Sequence, residues 1–158
     1  MLSGCDRGIG VMIPLPQDFS EFLQSLNDQQ VRYLLIGGYA VAYHGYPRST
    51  ADMDVWIEME PANVQAALAA IQAFGFPTHA IDPQTLLQPN NILRLGVAPL
   101  RIEVFNSIPG VDFETCYARR IETIMAGVLV PVIDLADLKQ NKLASGRPKD
   151  MNDLQNLP

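Results

Sequence analysis

Residues 33–58, YLLIGGYAVAYHGYPRSTADMDVWIE, decide the fold. A hydrophobic run that reads as a buried strand ends in Gly37-Gly38, and Asp52-Met53-Asp54 follows fourteen residues later on a second strand-like segment. A glycine pair has no Cβ, so backbone N–H groups can approach a phosphate there, and it can open a helix whose positive end faces the anion. Asp52 and Asp54 are two apart on an extended segment, which points both side chains to one face with Cα atoms roughly 7 Å apart. Carboxylates so placed can share hard divalent cations lying about 3.5 to 4 Å apart. The order is the one a metal-dependent phosphoryl-transfer site requires.

Such a site needs a third oxygen donor from a neighbouring strand. In residues 100–105, Ile102 and Val104 alternate with Arg101, Glu103 and Phe105, so Glu103 stands on the polar face of an otherwise β-branched run. It is the best third ligand in the chain. One such acid is easily explained as part of a solvated strand face; three in this pattern are not. Arg48 lies four residues before Asp52 in a short polar loop, within reach of phosphate oxygens or, equally, of solvent.

Taken in order, Gly37-Gly38, Arg48-Ser49-Thr50, Asp52-Met53-Asp54 and Arg101-Ile102-Glu103-Val104 resemble the DNA polymerase β-type nucleotidyltransferase superfamily. Residues 142–154, KLASGRPKDMNDL, are similar to the lysine-arginine-aspartate signature near the end of AbiE-type toxin nucleotidyltransferases and their small stand-alone relatives. The likeness covers about residues 30–157. The sequence departs from the pattern in carrying Glu103 where Asp is common, and Tyr39 after the glycine pair where many members carry Gly-Ser. Glu, one bond longer, still ligates magnesium from a strand set slightly further back. Tyr39 removes a small hydroxyl from beside the phosphates.

The resemblance implies an α/β (α+β) nucleotidyltransferase fold, a mixed sheet with helices mainly on one face. It implies Mg2+ or Mn2+ on Asp52, Asp54 and Glu103, with Glu103 also assisting deprotonation of the attacking hydroxyl. The nucleoside-triphosphate site would consist of Gly37, Gly38, Arg48, Ser49, Lys142 and Asp150. Asp150 would orient Lys142 or Arg147 while Asp153 caps a helix or faces solvent. Acceptors in the superfamily include tRNA ends, protein hydroxyls and small molecules, and a toxin or phage-defence role implies a cognate antitoxin partner. The alternative is a regulatory module that keeps the nucleotide and no longer transfers it.

Composition bounds these expectations. A hydrophobic share of 48% and a charged share of 18% over 158 residues suit one globular domain with a real core, here residues 17–158 after a tail of residues 1–16. A net charge of −6 argues against broad nucleic-acid binding, which rests on many phosphate contacts. Lys139, Lys142, Arg147 and Lys149 are nevertheless four of the eleven basic residues, enough for a local rim that holds a triphosphate or an RNA end. No apolar run approaches the roughly 20 residues that cross a bilayer. Leu2-Ser3-Gly4-Cys5 matches a lipoprotein cleavage box but has no hydrophobic leader before it, and reads as a chance match. Cys5 and Cys116 are isolated and read as reduced thiols of a cytoplasmic protein.

Periodicity and punctuation predict a helix from Asp18 or Ser20 to about Asn27, strands at 32–36 and 52–58, and a short helix at 39–44. They also predict an alanine-rich helix at 61–74, an irregular link with one helical turn near 84–87, and hairpins at 91–106 and 122–133. A helical turn at 112–117 and helices at 134–144 and 149–157, separated by Gly146 and Pro148, complete the chain. Trp56 reads as core in preference to a base-stacking residue, and His44 and His79 as structural or surface groups.

Overall fold

The computed structural model describes residues 15–96 and 100–158, so most of the expected tail, with Leu2-Ser3-Gly4-Cys5, and residues 97–99 lie outside the description. Within it, helix α1 (Gln17–Asp28) precedes β1 (Tyr33–Ile36), α2 (Gly37–Tyr43), β2 (Asp52–Ile57) and α3 (Pro61–Phe74). After a 3-10 turn at Thr85–Leu87 come β3 (Ile92–Leu95), β4 (Arg101–Phe105), α4 (Phe113–Ala118), β5 (Ile121–Met125), β6 (Val128–Val132), α5 (Leu135–Ser145) and α6 (Pro148–Asn156).

The six strands form one mixed sheet in the order β3-β4-β2-β1-β6-β5. β1 is buried at all four positions because it lies inside the sheet, antiparallel to β2 and parallel to β6. On β2, Met53, Val55 and Ile57 are sealed while Asp52 and Asp54 stay half-buried on the other face. β4 repeats this alternation, with Ile102 and Val104 buried and Arg101, Glu103 and Phe105 half-buried. Two-residue periodicity thus divides the sheet into an apolar face and a face free to carry chemistry.

α1 and α3 pack on each other and on the sheet. α1 buries Phe19, Phe22, Leu23 and Leu26 along one stripe, and the alanines of α3 allow close approach, Ala67 and Ala70 being fully enclosed. Glu60 caps α3 through the Ala62 and Asn63 amides, Pro61 opens it and Gly75 stops it. The expected cap of α1 is corrected. Pro16, not Asp18 or Ser20, starts that helix, because its carbonyl accepts from the Phe19 and Ser20 amides and its ring already fixes φ at −53°.

α2 begins at Gly37 itself, two residues earlier than expected. Gly146 ends α5 in the left-handed conformation, and Pro148 opens α6 in a capping box in which Asp150 accepts from the Arg147 backbone amide. Trp56 is 2% exposed and meets Phe113 of α4 edge-on at 5.2 Å, so it belongs to the packing on the site face. His44 is likewise structural, its Nε2 lying 2.7 Å from the Ile133 carbonyl, while His79 is exposed.

Candidate active site

Strand pairing assembles the three carboxylates. β2 runs parallel to β4 with Asp54 opposite Glu103 and Asp52 opposite Arg101, and β1 runs antiparallel to β2 with Ile36 opposite Asp54. The residue after Ile36 is Gly37, so the glycine-opened start of α2 falls beside Asp54. A Cβ on Gly37 would stand 2.3 Å from Asp54 Oδ2, and φ there is +68°. Gly38 is equally confined, since its Cβ would meet Thr50 Oγ1 at 2.8 Å. Both glycines are demanded by what they face. Gly37→Ala is expected to push Asp54 aside and to cost about 1–2 kcal/mol through the left-handed backbone alone. Thermal melts of the purified variant check the stability, and the activity described below should fall with it.

These residues line a cleft of about 280 Å³. Burial, with Glu103 and Asp52 beside it, pushes the Asp54 carboxyl up to about 7. Its Oδ1 is enclosed and has no hydrogen-bond partner. The two outer acids are turned toward guanidiniums: Asp52 Oδ2 accepts from Arg101 at 3.1 Å, and Glu103 Oε2 from Arg94 at 2.7 Å. Among the described residues no three acidic, His or Cys side chains already gather their donors round one point. The donor set still fits a hard divalent cation. It consists of oxygens only, and its innermost member has a buried oxygen with nothing bonded to it.

The far wall of the cleft comes from α5 and the turn into α6. Lys142 is buried there with its ammonium 3.1 Å from Asp150 Oδ1 and 3.0 Å from Asp153 Oδ2. Two of its three N–H donors are thereby engaged, leaving one for the cleft that it lines. Arg48 also lines the cleft but donates Nε and Nη2 to the two oxygens of Asp153, at 2.7 and 2.9 Å. Burial alone would raise Asp150, yet hydrogen bonds from Arg147, Ser145 and Lys142 hold it well below the usual carboxylate range. Asp153 is lowered in the same way, against burial, by Arg48 and Lys142.

Asp150 is fully buried and outside the cleft lining, so its place is the expected orienting one, bonded to Lys142 and Arg147. Several other expectations change. Asp153 neither caps nor faces solvent; it binds Arg48 and Lys142. Ser49 is exposed and outside the cleft, where Thr50 stands in its place. Tyr39 turns into the core against Phe19, centroids 5.8 Å apart, so it does not crowd the phosphate mouth. The expected basic rim divides. Lys139 bonds the Pro158 carbonyl, Lys142 is buried, and Arg147 and Lys149 alone reach the cleft as exposed side chains.

Lys149 lines the cleft, has no ion-pair partner among the described residues, and its field lowers Asp54, so a lysine that the sequence leaves open as part of a solvated helix face stands at the site. The signal was present in the density of Lys and Arg after residue 138. What one dimension hid was which of them aspartates had already claimed.

The fold has a counterpart among proteins of known structure. A Thermotoga maritima protein of known structure, described as a "putative nucleotidyltransferase", superposes with a TM-score of 0.59 over 85% of this chain and 86% of its own at 15% identity, a likeness of fold. Residues 12–157 match the family described as "Nucleotidyltransferase of unknown function (DUF6036)", and the chain belongs to that family. No curated protein matches it.

Proposed function

We propose that this protein transfers a nucleotidyl group from a nucleoside triphosphate to an acceptor hydroxyl, with release of pyrophosphate. One observation carries the reading: Asp52, Asp54 and Glu103 stand on one sheet face beside a glycine-opened helix mouth, with Asp54 Oδ1 buried and unpartnered. Asp52 and Asp54 would hold Mg2+ or Mn2+, with Glu103 as the third ligand, and the metal would supply Lewis-acid stabilisation of charge at the transferred phosphoryl group.

The chain's own groups do the rest. The α2 amides at Gly37 and Gly38 donate to phosphate oxygens, and Lys149, Arg147 and the third donor of Lys142 hold the triphosphate's charge. Glu103 takes the proton as the acceptor oxygen bonds to the α-phosphorus. The bond from that phosphorus to the bridging oxygen of the β-phosphate breaks, and pyrophosphate departs with the electron pair. The reading extends to a cytoplasmic toxin–antitoxin or phage-defence component with a cognate antitoxin, as the sequence likeness to AbiE-type enzymes suggests. The described residues contain no helix long and apolar enough to cross a membrane.

A second reading is a nucleotide-binding partner without transfer. It draws on the Arg101–Asp52 and Arg94–Glu103 pairs, which occupy two of the three acids. Purified protein incubated with each α-labelled NTP, Mg2+ or Mn2+, RNA and cell extract separates the two. Label in RNA, in protein or in a small molecule, with stoichiometric pyrophosphate, supports transfer and names the acceptor class. NTP binding by calorimetry with no label in any fraction supports the second reading.

A further inference from the structure

Beyond the carboxylates, the cleft changes character. Phe105 lies two residues past Glu103 on the same face of β4, about 7 Å further along the strand, and pairs with Ile92 of β3. Asn90, Ser107 and Asn141 complete this end, so none of the side chains named here carries a charge. The phosphate end, by contrast, has Lys142, Arg147 and Lys149. A group seated at the far end is therefore flat, uncharged and able to hydrogen-bond.

The polar atoms there are held in place by residues whose own hydrogen bonds are spent elsewhere. Asn106 is buried, accepts from the Asn91 amide and donates to the Leu86 and Gln88 carbonyls; Asn91 donates to the Thr85 and Gln88 carbonyls. That bracket fixes its neighbours, Asn90 and Ser107. Ser107 Oγ accepts from the Asn90 backbone amide at 2.7 Å and bonds Asn90 Oδ1 at 3.3 Å, while Asn90 sits at φ +67°. The Asn90 side-chain NH2 has no partner among the described residues. Asn141 is the complement: its Nδ2 donates to the Pro109 carbonyl at 3.0 Å, leaving its Oδ1 unengaged. The result is an aromatic and aliphatic wall flanked by one free amide donor and one free amide acceptor.

We propose that this end of the cleft is a nucleobase subsite, with the base lying against Phe105 and Ile92 and its hydrogen-bonding edge met by Asn90 and Asn141. Bases stack on aromatic faces and present adjacent donors and acceptors, and asparagine amides complement such edges. A sugar would meet the hydrogen bonds but gain little from a flat wall, and an acidic or basic ligand would find no counter-charge. The inference rests on the nucleotidyl-transfer reading and adds to it that one base is preferred. The base belongs either to the donor triphosphate or to the end of a nucleic-acid acceptor.

The test uses Asn90→Gly, which removes the amide and keeps a residue at ease with positive φ, together with Asn141→Ala and Phe105→Leu. Affinity for each of the four NTPs and for inorganic tripolyphosphate is measured with Ca2+. Selection of acceptor oligonucleotides differing in the terminal base is measured with saturating NTP and Mg2+. If the donor's base binds here, wild type ranks the NTPs, the variants weaken the preferred one by about tenfold and flatten the ranking, and tripolyphosphate binding holds. If the acceptor's base binds here, the NTP series is unchanged and the variants flatten discrimination among acceptor ends. The subsite is overturned if all variants keep both the NTP ranking and the acceptor ranking of the wild type, or if NTP and tripolyphosphate affinities fall together. Failure of the transfer reading would look different: the wild type would label no acceptor, whatever its ranking of the NTPs.

Discussion

Asp54→Asn is expected to abolish nucleotidyl transfer, by at least about a thousandfold, while making the protein more stable at pH 8 in the absence of divalent cations. The two effects have one cause. Burial and the neighbouring acids raise this carboxyl from an ordinary 3.8 to about 7, so the folded state resists the charge that the unfolded chain carries freely. Below pH 3.8 the group is protonated in both states and costs nothing. As pH rises from there to about 7, only the unfolded chain gains by ionising, and stability is lost over that window. Asn keeps the shape without the charge, and its gain at pH 8 is about 2–4 kcal/mol. Urea unfolding of both proteins at pH 4 and pH 8 checks the sign. A variant less stable at pH 8 would mean that Asp54 is a satisfied structural carboxylate, and the cation site would lose its central member.

The second large effect is expected at Lys142. Replacing it by Met leaves Asp150 and Asp153, 0% and 1% exposed, facing each other across a buried gap, and removal of one partner from such a cluster costs about 3–5 kcal/mol. Arg147, whose side chain is 58% exposed, also contacts Asp150, yet Arg147→Ala should cost less than about 1 kcal/mol because solvent screens it. The pH dependence runs opposite to that of Asp54. Asp150 and Asp153 have depressed values, so their contribution is full above about pH 4 and lost as pH falls below it. Melting curves of Lys142→Met and Arg147→Ala from pH 3 to pH 8 measure both claims. Equal, small losses would return Lys142 to the ranks of surface lysines. Any loss of NTP binding in Lys142→Met must be read against this structural cost, whereas Lys149→Ala tests a phosphate contact without it.

The elements themselves were legible in the sequence because they obey local rules. Alternation on residues 100–105 gave β4 its two faces, Pro61 and Gly75 bracketed α3, and Gly146 with Pro148 separated α5 from α6. Asp52, Asp54 and Glu103 were recognisable as well, since two-residue spacing on extended chain fixes which side chains share a face whatever the strand pairs with. The sequence by itself thus determined the carboxylate face and the glycine mouth. Only the tertiary structure decided their company. That β4 pairs parallel to β2, and so sets Glu103 beside Asp54, is a register choice between segments nearly fifty residues apart. The same is true of Arg48 and Asp153, 105 residues apart and bonded through the guanidinium's Nε and Nη2. Which lysine is buried, which arginine is spent and which carboxylate is left unpartnered depend on distances that spacing along the chain cannot encode, because burial and ion pairing are set by elements brought together from opposite ends of it.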